Sequence, residues 1–300
     1  MRVAVTGAGG LIGSRLVGAL RARGDEVVAL SRSGDGGAVR WEPASEPAPA
    51  DTLAAVDAVV HLAGENIAQR WSAGARERIR TSRAAGTANL VAGIASAREG
   101  AGSDRPPRVL VCANAVGYYG NRGDELLRES SPPGDDWLAA ICVEWEAAAM
   151  AAAALGLRVC VLRTGVVLDR TGGALAKMLP PFQAGVGGPV AGGRQYISWI
   201  HADDLLAFYL AALDDERFDG PVNAVAPHAV RNADFSKALG RALHRPAFAP
   251  VPRAALQLLY GDMASIVTDS QNVEPARAAE LGVSYAHADL DAALRDALSR

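Results

Sequence analysis

An α/β fold, in which a doubly wound parallel sheet is followed by a smaller C-terminal α/β lobe, is predicted by three features of this 300-residue chain. Short apolar, β-branched runs alternate with helical stretches up to about residue 165. A glycine cluster sits at the first strand-to-helix junction. Beyond residue 166 the alternation weakens into Gly/Pro-rich sequence and shorter elements.

Each element follows from its residues. Arg2-Val3-Ala4-Val5-Thr6 reads as a buried strand, and apolar residues at helical spacing (Leu11, Ile12, Leu16, Val17, Leu20) predict a helix that stops at Gly24. Residues 26–30 give a second strand, which completes a βαβ crossover. Residues 58–62 and 108–112 read as further strands, with helix between about Trp71 and Ser96. An Ala-rich helix over Trp137–Leu155 precedes a strand at 158–163. The pattern is Rossmann-type, and it divides the chain into residues 1–165 and a C-terminal lobe over 166–300. Residues 34–51, 99–107 and 172–194 read as loops.

Composition excludes some classes. Thirty basic against 33 acidic residues leave a net charge of −3 and a pI near 6.0, which argues against nucleic-acid binding. Cys112, Cys142 and Cys160 form no CxxC pair, so neither a disulfide framework nor a metal site is read. The chain has no uninterrupted run of eighteen apolar residues, and Met1 leads straight into a strand. The expectation is a cytoplasmic protein without a membrane partner; a homodimer stays open.

The turn Thr6–Gly13 holds Gly7-x-x-Gly10-x-x-Gly13. Such glycines permit a tight turn, close backbone approach to a pyrophosphate, and close packing of helix on strand. The amides of Leu11, Ile12 and Gly13 at the helix start then suit phosphate. At the end of the second strand stand Ser31 and Arg32 in place of a ribose-binding acid, and Asp35 falls too late for that contact. A guanidinium and hydroxyls suit a 2′-phosphate, which favours NADP over NAD.

Several further motifs carry a resemblance: His61-Leu62-Ala63-Gly64-Glu65-Asn66, Ser82-Arg83 with Gly86-Thr87, Ala115 through Gly120, Arg163 through Leu168, and Ser198-Trp199-Ile200-His201-x-Asp203-Asp204. With the glycine turn they resemble the YfcH-type, sugar-nucleotide-epimerase-like branch of atypical extended short-chain dehydrogenases/reductases. The tail over about 248–296 resembles the small C-terminal domain of that branch. The resemblance implies an NADP-binding domain with a C-terminal substrate lobe. It places Ser31 and Arg32 at the adenosine ribose phosphate, and Leu62, Ala63 and Gly64 along the cofactor. Arg83 falls beside the cofactor's phosphate or ribose, and Val166 near the nicotinamide.

In active extended members a Tyr-x-x-x-Lys pair handles the proton. Here Cys142-x-x-x-Glu146 stands at that place, and the helping Ser falls on Asn114 or Ala115. Substitutes are Tyr118 and Tyr119, for which aromatic packing and acid/base duty are both open, and Cys142, which reads more readily as a buried hydrophobe than as a nucleophile. Glu65 and Asn66 are candidate substrate contacts. Arg163 and Arg194 are candidates for an anionic substrate group, and the loop at Gly185–Gln195 reads equally as a closure over substrate and as a plain surface loop. Asp203 or Asp204 reads as a helix N-cap. Two functions follow: an epimerase-like oxidoreductase acting on a small hydroxyl, carbonyl or nucleotide-sugar substrate, or an NADP(H) sensor or carrier that lacks the proton relay.

Overall fold

The computed structural model describes residues 1–100 and 106–299. Of the polar insertion read at 99–107, residues 101–105 lie outside the described residues. Val3, Ala4 and Val5 are fully covered in β1 (Arg2–Thr6), as a strand flanked by helices on both faces requires. In α1 (Leu11–Ala22), Gly13, Leu16 and Leu20 face the sheet. Gly24, at φ 87°, supplies the left-handed residue that stops this helix. β2 (Glu26–Ser31) returns beside β1 in parallel. The stretch read as a loop at 34–51 also contains β3 (Val39–Arg40), paired with Leu30 and Ser31, and the start of α2 (Ala50–Leu53). A strand this short leaves no period to read.

β4 (Ala58–His61), the long α3 (Ala73–Glu99) and β5 (Val109–Ala115) continue the alternation. After β6 (Leu126–Leu127) come α4 (Trp137–Met150) and β7 (Arg158–Thr164). α4 and its 3-10 extension are long and apolar enough to cross a bilayer. Here that apolarity serves packing, because Trp145, Ala149 and Ala152 join the core on one face of the sheet.

Beyond 165 the chain continues through β8 (Val166–Leu168), α5 (Gly173–Gln183), β9 (Tyr196–Ile197) and β10 (Trp199–His201). It then runs through α6 (Ala202–Asp214), β11 (Gly220–Ala224), β12 (Val230–Arg231) and α7 (Asn232–Leu243). α8 (Arg253–Tyr260), α9 (Ser265–Thr268), β13 (Asn272–Val273), α10 (Ala276–Glu280) and α11 (Leu290–Ser299) complete it. α5 is a helix inside the segment read as a loop, despite Pro180 and Pro181. Leu175, Leu179 and Phe182 share its buried face, and each buried side chain contributes about 1.5–3 kcal/mol, enough to offset the lost backbone bonds. The following loop is held in place: a Cβ on Gly187 would meet Phe182 Cγ at 2.4 Å, and one on Gly188 the Ala249 carbonyl at 2.1 Å.

The main sheet has seven parallel strands in the order β3-β2-β1-β4-β5-β7-β11. β11 is drawn from beyond residue 165, and α6 packs Leu205, Phe208 and Ala212 on the same core as Leu16 and Leu20. The sheet unit is therefore not continuous in sequence. A second core around Leu175, Trp199, Phe235, Leu239 and Leu294 organises the C-terminal lobe. β13 pairs with β6, so the lobe is tied back across the sheet's edge. The cap of α6 is neither aspartate: His201 Nδ1 accepts the Asp203 N–H at 3.2 Å. Asp204 is buried and accepts the Ala286 and His287 N–H groups at 2.8 and 3.1 Å.

Strand order reverses direction between β1 and β4, so the crevice beyond their carboxyl ends is where this fold receives ligands. Two glycines test the packing behind it. A Cβ on Gly93 of α3 would lie 2.3 Å from the Ala48 carbonyl, whereas one on exposed Gly18 of α1 meets nothing within 4 Å. Gly93→Ala should lower stability by about 1–3 kcal/mol, and Gly18→Ala should raise it by about 1 kcal/mol, in urea titrations of the two variants.

Candidate functional site

At the first βα junction the backbone leaves no room for side chains. A Cβ on Gly7 would sit 2.8 Å from the Leu62 carbonyl carbon, and one on Gly13 2.1 Å from the Gly7 carbonyl oxygen. Gly7 also turns at φ 70°, a conformation that L side chains resist. The end of β4 is fixed alongside: Thr6 Oγ1 accepts the Leu62 and Ala63 N–H groups, each at 3.2 Å. It also contacts His61 Nδ1 at 2.7 Å, and His61 Nε2 contacts Thr87 Oγ1 at 3.0 Å. Burial, with the Arg83 cation as a smaller contribution, pulls the His61 pKa down to about 4.

α1 starts at this turn without a side-chain cap and without an acidic residue in its first turn. The Leu11, Ile12 and Gly13 amides have no acceptor among the described residues, and they stand at the positive end of the helix dipole. A groove of about 580 Å³ runs past it, lined by Gly7–Gly10, Ser31, Arg32, Leu62–Glu65, and Trp41–Ala44 and Ser82. The Cβ-free cradle, open amides and exposed Arg32 guanidinium fit a dinucleotide with an extra phosphate. Ser31 Oγ meanwhile accepts the Gly34 N–H at 3.0 Å.

The structure gathers most of the sequence-predicted contacts here, with some differences. Arg83 lies beneath the groove, donating to the Glu65 and Ile79 carbonyls at 3.0 and 3.3 Å, with its guanidinium 5.0 Å from the Trp145 ring centre. Glu65 lines the groove and holds Gln69 at 3.0 Å, while Asn66 accepts the Ala68 N–H in its own turn. Val166 is half-buried at the start of β8. Sequence reasoning missed Trp41, Glu42 and Thr81 in the lining, and the His61–Thr87 contact. The recurrence of a threonine 26 residues after His61 carries no local pattern.

The place of the usual proton relay is filled by an ion pair between a buried arginine and a half-buried glutamate. Glu146 of α4 receives two hydrogen bonds from Arg163 of β7, at 2.6 and 2.9 Å. Arg163 also donates to the Tyr119 hydroxyl at 2.9 Å and the Glu129 carbonyl at 3.1 Å, and Tyr119 donates to Asn223 Oδ1 at 2.7 Å. Asn114 donates to the Cys142 carbonyl at 3.0 Å.

These contacts bear on three candidate roles. Arg163 is committed to Glu146 and is not available to an anionic substrate. Tyr119 is wholly buried, and burial pushes its pKa up to about 12, which places it in the scaffold. Cys142 is buried too, and the same desolvation raises its thiol to about 12, unsuited to a nucleophile. Tyr118 differs. It is half-buried, the Arg163 guanidinium lies 3.5 Å from its ring centre, and its hydroxyl has no partner among the described residues.

A second cavity, of about 780 Å³, opens among Arg194, Arg231, Arg253, Asn121 and Asp124. Arg231 pairs with Asp124 at 2.7 Å.

Residues 3–225 match the NAD dependent epimerase/dehydratase family, and residues 251–297 match a domain of unknown function, DUF1731. The epimerase family protein SDR39U1 homolog, chloroplastic, of Arabidopsis thaliana is 40% identical over 98% of this chain and 86% of its own length. The crystal structure of human epimerase family protein SDR39U1 (isoform2) with NADPH superposes with a TM-score of 0.88, at 36% identity over the whole of both chains. The nucleoside-diphosphate sugar epimerase from Corynebacterium glutamicum matches with a TM-score of 0.80 and 36% identity, covering 99% of this chain and 58% of its own.

Two outcomes follow from the geometry. Arg163→Met strands the Glu146 carboxylate in the interior and should cost about 3–5 kcal/mol in denaturant titration. His61 is held neutral, with a folded pKa below its unfolded value of 6.5. Its contribution is therefore complete above about pH 6.5 and is lost as pH falls toward 4, on the order of 3 kcal/mol in all. His61→Asn should flatten that part of the stability-against-pH curve.

Proposed function

The chain belongs to the NAD dependent epimerase/dehydratase family, and on that premise we propose that it is an NADP-dependent, epimerase-like oxidoreductase acting on a small hydroxyl, carbonyl or nucleotide-sugar substrate. The observation that carries this reading is the uncapped start of α1, with three open amides following a glycine turn that lines the same groove as Arg32. In this reading the pyrophosphate lies on the Leu11–Gly13 amides, and Ser31 and Arg32 hold the 2′-phosphate. Leu62, Ala63 and Gly64 give the cofactor a flat backbone wall. The bound nicotinamide supplies or takes up hydride. The chain's own work is then to orient substrate, exclude water and exchange one proton.

Tyr118 is the phenol free for that exchange, and the Arg163 cation over its ring fixes its position. The guanidinium groups of Arg194 and Arg253 suit an anionic group such as a diphosphate. The likeness to the nucleoside-diphosphate sugar epimerase from Corynebacterium glutamicum supports that class.

A second reading rests on the Glu146–Arg163 pair. With a carboxylate and a buried thiol where a Lys and a Tyr would work, the chain would bind NADP(H) as a sensor or carrier. One set of measurements separates the two. With NADPH and a panel of carbonyl compounds and nucleotide-sugars, the enzyme reading predicts turnover at 340 nm that Tyr118→Phe cuts about 100-fold or more, leaving NADPH affinity intact. Tight binding with no turnover on any member would favour the sensor. In either case Arg32→Ala should weaken NADPH about 10- to 100-fold and leave NADH nearly unchanged, read by fluorescence titration. Equal losses for both would remove Arg32 from phosphate recognition.

A further inference from the structure

The cavity of about 780 Å³ is lined from five separate places in the chain. They are the turn around Asn121, the loop from Ala191 to Gln195, the starts of α7 and α8, and the end of α9. Among these residues Gln195 is the polar side chain whose direction is fixed most firmly. It is 7% exposed, and its Nε2 donates to the Val190 carbonyl at 3.1 Å and to the Val267 carbonyl at 2.9 Å. Carbonyl oxygens only accept, so these two bonds use both amide hydrogens and identify the other end of the side chain as the oxygen. Gln195 Oε1 accepts no hydrogen bond among the described residues. An acceptor on a side chain so deeply covered calls for a partner.

Asn121 is fixed in the opposite sense. Its Oδ1 accepts the Ser270 N–H at 3.1 Å, which leaves Nδ2 as a donor in the same lining. The loop that carries Gln195 is itself tied down, because Asn232 Oδ1 accepts the Val190 N–H at 2.7 Å and the Ala191 N–H bonds the Val251 carbonyl at 2.9 Å. Arg231 is taken up by Asp124, and Lys237 takes up Asp234. Arg194 and Arg253 are then the cations for an incoming anion, although their fields also reach Asp124 and Asp269. A diphosphate alone would leave most of this volume empty.

We propose, resting on the reading of this cavity as the anion site of the substrate, that Gln195 is its specificity-determining residue. Its Oε1 accepts an N–H or O–H of the nucleoside while Arg194 and Arg253 hold the attached diphosphate. A fixed acceptor repels phosphate oxygen and rewards a donor, so the site selects a nucleoside diphosphate over the bare anion. Asn121 Nδ2 donates to an oxygen of the same nucleoside. The amide is held before the ligand arrives, so little ordering cost is left to the binding step.

Calorimetry on the full chain saturated with NADPH tests this with two probes, uridine diphosphate and inorganic diphosphate. The bound NADPH keeps both probes out of the cofactor groove. Uridine diphosphate should bind about 10-fold tighter than inorganic diphosphate. Gln195→Met, which keeps the length and packing of the side chain, should cut uridine diphosphate about 10-fold and leave inorganic diphosphate unchanged. Arg253→Ala should weaken both probes. NADPH affinity and Tm, measured alongside, report that each variant is folded. If neither probe binds the unsubstituted chain, the nucleotide-sugar class fails and the role of Gln195 with it. If both probes bind but uridine diphosphate has no advantage, or Gln195→Met weakens the two alike, the anion site stands and Gln195 is only a brace between Val190 and Val267.

Discussion

The close approach of three backbone segments at the first βα junction is the constraint from which the site follows. Gly7 and Gly13 have no space for a Cβ, and Gly7 lies against Leu62 at the end of the neighbouring strand. Because the chain meets itself there without side chains, the start of α1 remains open and its amides stay unpaired among the described residues. Thr6 and His61 stiffen the arrangement from below by tying β1 to β4 and to α3 through Thr87. A buried imidazole held neutral between two hydroxyls serves that purpose without leaving a charge under a phosphate site.

Binding and chemistry are separable in this molecule. The groove retains what a dinucleotide needs, while the neighbouring relay position has been rebuilt as a structural ion pair. Glu146 is bonded to Arg163, which in turn holds Tyr119 and, through Tyr119, Asn223 of β11. This network fastens β11 into the sheet next to β7, so its residues serve the fold first. A group with its hydrogen bonds already satisfied and its pKa raised by burial is poorly placed to exchange protons. Tyr118, next in sequence to Tyr119, is half-buried, and its hydroxyl has no hydrogen-bond partner among the described residues. The two adjacent tyrosines thus differ in burial, Tyr119 being wholly covered and Tyr118 half-buried.

Much of the sheet was legible in the sequence because strands such as Val3–Val5 and Val159–Leu162 are covered on both faces and read as continuous apolar runs. The glycine turn was legible for a steric reason, and the Ser31–Arg32 pair for an electrostatic one. Other features depend on contacts between distant residues. The partner of Glu146 lies 17 residues away on another element, and β11 joins the sheet only after the chain has passed through part of the lobe. α5 was hidden by its two prolines, since local propensity spoke against a helix that packing of Leu179 and Phe182 maintains. The His201 cap was obscured by the more usual capping residues Asp203 and Asp204 beside it.

The open helix start and the Arg32 guanidinium act together as a phosphate-reading pair. Calorimetric titration of the purified chain with NADPH tests that claim most directly. Saturable heat at one molecule per chain, weakened steeply when a side chain is forced into the cradle by Gly13→Val in a protein that still folds, is the predicted result. Absence of saturable heat with either NADPH or NADP⁺, under conditions where the chain is folded, would contradict it.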